Sequence, residues 1–129
     1  NMDSSYIKRI RHYSDTAKHI TDKMPGNFLQ IGLIKTILPN AKIIHCHREP
    51  IANCWSLFKN YFTATHNYAY DLTELGEYYN LYLDLMNHWE HVLPSYVHNI
   101  KYEELVANQE AETKDLREHC QLQWHDICL

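Results

Sequence analysis

Three side chains that can bind an anion stand in the first half of the chain: Lys23, Arg48 and Ser56. Lys23 ends a short predicted strand, Ile20–Lys23, and Arg48 follows the apolar run Ala41–Cys46, which is typical of a buried parallel strand. Ligands of open α/β sheets collect beyond the carboxyl ends of the strands, where helices begin. Lys23 and Arg48 are therefore both predicted to lie where an anionic ligand binds.

Ser56 lies six residues after Pro50, which suits the first position of a helix. This spacing corresponds to about 9 Å along a helix. The guanidinium of Arg48 and the hydroxyl of Ser56 can then hold one phosphate, with a charge-assisted contact from the arginine. The spacing alone leaves a second interpretation open, in which Arg48 is a surface ion-pair partner of Glu49 or Glu103 and Ser56 is a solvated helix residue.

The elements around these residues are predicted from periodicity and from helix and turn signals. After a break at Pro25-Gly26, Asn27 is a good N-cap for a helix with the apolar face Phe28, Ile31, Ile34 and Leu38. The rest is predicted to be mostly helical, with helices over 3–19, 71–93 and 109–120, a helical turn over 102–106 and a short strand over 96–100. Residues 62–70 have neither period and are predicted to form a loop. The fold class is α/β.

Longer stretches of the sequence carry a family resemblance. TDKMPGNF at 21–28 and LPNAKIIHCHREPIANCWS at 38–56 closely resemble the sulfotransferases that use 3'-phosphoadenosine-5'-phosphosulfate (PAPS). DLTELGEYYNLYLDLMNHWEHVLP at 71–94 and IKYEELVANQEAETKDLREHCQLQWHDICL at 100–129 continue the likeness, which runs from about Ile20 to Leu129. The sequence looks most like the bacterial branch often fused to tetratricopeptide repeats, a relative of the tyrosylprotein sulfotransferases.

The resemblance implies a P-loop-NTPase-like three-layer sandwich with a short parallel sheet and flanking helices. By this resemblance Arg48 and Ser56 match the pair that binds the 3'-phosphate of PAPS. Lys23 matches a catalytic lysine near the transferring sulfuryl group and the 5'-phosphate, and Tyr102 matches a tyrosine close to the nucleotide. The implied reaction moves a sulfuryl group from PAPS, as co-substrate and without a metal, to an acceptor hydroxyl or amine.

One departure from the family is the absence of its glycine-rich loop for the 5'-phosphosulfate. The chain has only three glycines, and none lies in such a pattern. We therefore expect residues 1–129 to be an internal fragment of one sulfotransferase domain, incomplete at the N-terminus, with the general base outside it. Two alternatives stay open: an inert remnant that forms homo-oligomers through an exposed sheet edge, and a nucleotide-kinase-like P-loop protein. Binding of the product 3'-phosphoadenosine-5'-phosphate (PAP) in preference to ATP separates the kinase from the sulfotransferase.

Composition narrows the function classes further. A net charge of −4 with no long basic block argues against a nucleic-acid partner, and no apolar run is long enough for a membrane span. The expected partners are PAPS or PAP and an unknown acceptor. Free thiols and dependence on PAPS favour the cytoplasm.

The cysteines and histidines give weaker signals. All four cysteines are expected to be reduced, with Cys46 in a buried strand and Cys54 on the next helix. The C-terminal His and Cys residues lack the paired spacing of a zinc site. His45 and His47 share one face of their strand. A histidine near the ligand could act as a general base, and His47 is the better candidate because it adjoins Arg48. The favoured interpretation is that both are packed or solvent-edge histidines.

Overall fold

The computed structural model describes residues 2–62, 66–125 and 128. The chain divides into two compact units, Asn1–Ala41 and Lys42–Leu129. The first contains helix α1 (Met2–Arg11), a 3-10 helix (Pro25–Gln30) and helix α2 (Ile31–Ile37). In sequence order, the second contains strand β1 (Ile43–His47), helix α3 (Pro50–Phe58), a 3-10 helix (Asn67–Tyr70), helix α4 (Leu72–Val92), strand β2 (Val97–Lys101), helix α5 (Tyr102–Ala107) and helix α6 (Gln109–His119).

Two predictions for the start of the first unit were wrong. Ile20–Lys23 forms no strand, because its single apolar residue offers little to bury and it joins no ladder. The helix predicted over 3–19 ends at Arg11. The Ser14 hydroxyl accepts the Ala17 N–H at 3.1 Å and the Arg11 guanidinium donates to the Ala17 carbonyl at 2.9 Å, so a local loop replaces the next helical turns.

The helix predicted after Pro25-Gly26 is present in two parts. Pro25 starts the 3-10 helix, and the backbone N–H of Asn27 donates to the Met24 carbonyl at 3.0 Å. Asn27 therefore lies inside a 3-10 turn and is not the N-cap of α2, a position that Gln30 takes. The predicted apolar face is correct at Ile31, which is 2% exposed.

The second unit is built on two parallel strands. Among the described residues β1 pairs only with β2, and His45 lies opposite Asn99. On one face of this sheet His45 meets Tyr82 of α4. On the other, His98 stacks on His119 of α6 with ring centroids 4.7 Å apart. Helices thus lie on both faces, and the predicted α/β class with a short parallel sheet is confirmed for this unit.

Helix α4 is the longest element, and its bounds agree with the helix predicted over 71–93. The Asp71 carboxylate caps it by accepting the backbone N–H groups of Thr73 and Glu74 at 2.7 and 3.0 Å, which lowers the pKa of Asp71. Leu75, in its first turn, is 1% exposed, and Ala69 just before the helix is fully buried. The start of α4 therefore belongs to the core of the unit.

The loop predicted over 62–70 is only partly irregular. Residues 63–65 lie outside the described residues, whereas Asn67–Tyr70 form a 3-10 helix. The Tyr70 hydroxyl accepts the Phe62 N–H at 3.0 Å and donates to the Phe62 carbonyl at 2.5 Å. These contacts and the burial of Ala69 explain why 67–70 are ordered without an obvious sequence period.

Candidate functional site

Arg48 lies at the carboxyl end of β1, where the apolar run predicted it. The strand is Ile43–His47, slightly later than the predicted Ala41–Cys46, and α3 begins at Pro50 as predicted. The side chain of Arg48 is 47% exposed. A cation at this edge, two residues before a helix, is accessible to an anionic ligand.

Tyr102 directly follows β2 and lies at the same edge of the sheet. Because β1 and β2 run parallel with His47 opposite Lys101, the residues that follow them become neighbours. The guanidinium carbon of Arg48 lies over the Tyr102 ring, 5.4 Å from its centroid. Two residues predicted to contact a nucleotide, 54 positions apart in the chain, are thus brought together.

Glu103 connects the two strand ends. Its Oε1 lies 3.8 Å from Arg48 Nε and accepts the backbone N–H of Glu49 at 3.2 Å. Mainly through that N–H, the pKa of Glu103 is lowered, so the group is a carboxylate at neutral pH. The ion pair considered for Arg48 is therefore present with Glu103. At 3.8 Å this contact is an ion pair longer than a hydrogen bond, so it is compatible with a phosphate on the N–H donors of the guanidinium.

Glu49, the other ion-pair partner considered for Arg48, has a different role. Its Oε2 accepts the Ala52 N–H at 2.8 Å and caps α3. Sequence reasoning missed this cap because glutamate is not among the preferred N-cap residues. The carboxylate takes up one of the free N–H groups at the helix start.

Ser56 lies within α3 and is half-buried. Its carbonyl accepts a hydrogen bond from the Asn60 side chain at 2.5 Å. Glu49, Asn53 and Ser56 follow one another at spacings of four and three, so they share a helix face that begins beside Arg48. This placement agrees with the expected helix, and a phosphate shared by Ser56 and Arg48 stays a prediction.

Lys23 belongs to the first compact unit. It is exposed and lies in an irregular segment before the 3-10 helix. Its neighbour Asp22 accepts a hydrogen bond from the Tyr6 hydroxyl of α1 at 2.5 Å, which raises the pKa of Tyr6 to about 12. This contact ties the Lys23 segment to α1.

His45 is the centre of a hydrogen-bond network that sequence reasoning did not find. Its Nδ1 lies 2.7 Å from Asn99 Oδ1, and its Nε2 lies 2.5 Å from the Tyr82 hydroxyl. A neutral ring satisfies both contacts, with Nδ1–H donating and Nε2 accepting. His47 stacks on His45 with centroids 5.4 Å apart, on the shared face predicted for them. A cavity of about 260 Å³ opens beside the pair.

The network makes stability depend on pH in a defined direction. Burial is the main cause that lowers the pKa of His45 below its ordinary value, so the unfolded chain binds more protons between the folded value and about 6.5. We expect the free energy of unfolding to be greatest above about pH 6.5 and to fall as the pH drops below it. Urea unfolding from about pH 8 to pH 5 measures this slope.

Two variants test whether His45 causes the dependence of the free energy of unfolding on pH. His45→Gln should reduce the slope without abolishing it, because burial also lowers the pKa of His119. His12→Gln, at an exposed position after α1, should leave the slope unchanged. If the His45→Gln chain kept the wild-type slope, the network would not be its source.

The cysteines form no disulfide in the structure. Cys46 is exposed, which corrects the buried position expected for it, because it lies on a sheet face that its neighbours only partly cover. Cys54 on α3 is half-buried, and burial raises the pKa of its thiol. Within residues 2–62, 66–125 and 128, no three His, Cys, Asp or Glu side chains are grouped to hold a metal ion. None of the helices in these ranges is long and apolar enough to cross a membrane.

Comparison with known proteins gives the family. The family model described as Sulfotransferase family matches residues 1–126. The chain belongs to the sulfotransferase family. The match covers nearly all of this sulfotransferase chain and includes Lys23, Arg48, Ser56 and Tyr102.

One relative is an uncharacterized protein of Aquifex aeolicus (strain VF5), to which the sulfotransferase chain is 32% identical over 127 residues. The alignment covers 96% of this chain and 17% of the relative, so the chain spans about a sixth of the relative's length. No solved structure matches the chain.

Proposed function

We propose that this chain is part of a PAPS-dependent sulfotransferase domain that transfers a sulfuryl group to an acceptor hydroxyl or amine. Its fold would be the P-loop-NTPase-like sandwich of that family, of which the two parallel strands with helices on both faces form a part. Residues 1–129 would belong to this one domain and act in the cytoplasm. PAPS would be the co-substrate, and the scheme uses no metal.

The proposal rests on the contact between Arg48 and Tyr102 at the carboxyl edge of the sheet, where the guanidinium carbon lies 5.4 Å from the centroid of the tyrosine ring. Both were predicted to contact the nucleotide, and parallel pairing is what brings them together. A guanidinium beside an aromatic ring fits an adenosine phosphate, because the cation binds phosphate oxygens and an aromatic ring can contact a base.

Each residue has a separate role in this proposal. Arg48 and Ser56 hold the 3'-phosphate, a group that ATP and adenosine 5'-phosphate lack. Tyr102 contacts the nucleotide beside Arg48. Lys23 supplies positive charge for the sulfuryl group and the 5'-phosphate, where negative charge grows as the sulfur–oxygen bond to the phosphate breaks. The new bond forms from the acceptor oxygen or nitrogen to sulfur, and the acceptor proton passes to a base.

The proposal is tested by the unfolding temperature of the chain with PAP, ATP or adenosine 5'-phosphate. A ligand that binds only the folded state raises this temperature according to its affinity. We expect PAP to raise it most, since PAP alone carries a 3'-phosphate. A larger increase with ATP would favour the nucleotide-kinase interpretation. No increase with any of the three would favour an inert remnant, whose association through a sheet edge would show in the mass of the particle.

Ser56→Ala should weaken PAP binding less than the loss of a charged contact would. One hydrogen bond from a hydroxyl to a charged phosphate contributes about 1.5 kcal/mol, the lower end of the range for charged groups, so we expect a dissociation constant about tenfold higher. Calorimetric titration of the variant measures it, and Ser14→Ala, which removes a hydroxyl from the loop after α1, is the control. Equal PAP affinity in Ser56→Ala and wild type would remove Ser56 from the site.

A further inference from the structure

Glu103 makes two contacts across the carboxyl edge of the sheet. Its Oε1 accepts the Glu49 N–H at 3.2 Å and lies 3.8 Å from Arg48 Nε. It thereby joins the first turn of α5, after β2, to the junction between β1 and α3. The residue before it, Tyr102, contributes the ring beneath the Arg48 guanidinium. Arg48 is thus held from two sides by consecutive residues of α5.

The second carboxylate oxygen of Glu103 can accept a hydrogen bond. Oε2 is closed off from solvent, and no donor reaches it among the described residues. A buried acceptor without a donor is unfavourable, so a donor that turned toward it would be retained. The Arg48 guanidinium already lies beside the other oxygen, and carboxylates commonly bind arginine through both oxygens.

We propose that Glu103 is a positioning residue for the anion site: it holds Arg48 through Nε, so that the outer N–H donors of the guanidinium point to the 3'-phosphate. The inference rests on the proposed function, because it assigns a ligand to Arg48. An arginine side chain has many rotamers, and fixing it before the ligand arrives lowers the entropy lost on binding. Glu103 is not a catalytic residue in this account, since it acts through Arg48.

The opposite role is physically reasonable and predicts the opposite result. A carboxylate beside Arg48 also repels a phosphate and competes for the same cation. If competition dominated, removal of the charge would tighten PAP binding. The sign of the change in PAP affinity therefore separates positioning from competition.

Glu103→Gln is the informative variant. The amide oxygen of glutamine still accepts the Glu49 N–H, but the charge that attracts Arg48 is gone. We expect the dissociation constant of PAP to rise about three- to tenfold, the range set by the immobilisation of one flexible side chain. Binding of adenosine 5'-phosphate should not change, because it has no 3'-phosphate. Glu104→Gln, which removes the carboxylate next to Glu103 that pairs with Lys101, should match wild type for both ligands.

A double-variant cycle distinguishes positioning from a general structural effect. In a chain that already carries Arg48→Ala, the further change Glu103→Gln should leave PAP affinity unaltered, because nothing remains to position. The inference is overturned if the loss persists in that background, or if Glu103→Gln alone leaves PAP binding unchanged or tightens it. A wild-type chain that binds PAP and adenosine 5'-phosphate equally would overturn the proposed function itself, and this inference with it.

Discussion

Arg48→Ala is expected to raise the dissociation constant of PAP about 10- to 150-fold, which corresponds to the loss of about 1.5–3 kcal/mol for a hydrogen bond to a charged group. The affinity for adenosine 5'-phosphate should stay unchanged, because in our account Arg48 contacts the 3'-phosphate alone. Calorimetric titration of both ligands measures the two affinities side by side. The unfolding temperature should also change little, since Arg48 and Glu103 are 47% and 39% exposed and ion pairs near the surface contribute little to stability.

Two control variants refine the result for Arg48. Arg9→Ala removes an exposed arginine in the last turn of α1 and should bind PAP as wild type does. Arg48→Lys keeps the positive charge but loses the planar fork of donors, so its affinity should fall between those of wild type and Arg48→Ala. An unchanged PAP affinity in Arg48→Ala would contradict the assignment of the 3'-phosphate to this residue.

Leu75→Ala is expected to lower the free energy of unfolding by about 2–5 kcal/mol. Leu75 is 1% exposed, so its truncation removes buried apolar area and leaves a cavity. A loss of this size is a large fraction of the total stability of a small protein, about 5–15 kcal/mol. Urea unfolding followed by circular dichroism measures it.

Leu81 provides the matched control on the same helix. It is 67% exposed, and the change to alanine is chemically identical and equally favourable for a helix. We expect Leu81→Ala to change the free energy of unfolding by no more than about 0.5 kcal/mol. If Leu75→Ala cost no more than Leu81→Ala, the start of α4 would not be part of the core.

The elements with a strong local signal could be predicted from the sequence. The apolar run before Arg48, with Pro50 after it, predicted a buried strand followed by a helix. β1 and α3 are both present, but β1 alternates between half-buried and exposed residues and is not buried. The long apolar stripe before Pro94 likewise predicted α4, and the short strand after it is β2. Each of these segments has one dominant period or a clear start or stop signal.

The failures come from weak signals and from competing local contacts. Ile20–Lys23 has one apolar residue in four and forms no strand, and α1 ends where Ser14 and Arg11 both bind the backbone of Ala17. The helical spacing of apolar residues continues beyond the end of α1. A prediction from this spacing takes no account of hydrogen bonds from side chains to the backbone, and these hydrogen bonds end the helix.

The contacts around Arg48 depend on strand register, which the sequence does not reveal. Glu103 could be named as a partner of Arg48, but its simultaneous contact with the Glu49 N–H follows from the parallel pairing of β1 and β2. For the same reason the contact between His45 and Asn99 could not be predicted, since a shift of one residue would place them on opposite faces. The sequence thus identified the residues of the candidate site, but it did not show which of them contact one another.

The most direct test of the central claim is calorimetric titration of the wild-type chain with PAP and with adenosine 5'-phosphate, two ligands that differ only in the 3'-phosphate. Our account predicts PAP binding with a dissociation constant on the order of micromolar, and much weaker binding of adenosine 5'-phosphate. Equal affinity for the two ligands, or no binding of either, would contradict a 3'-phosphate site at Arg48 and Ser56.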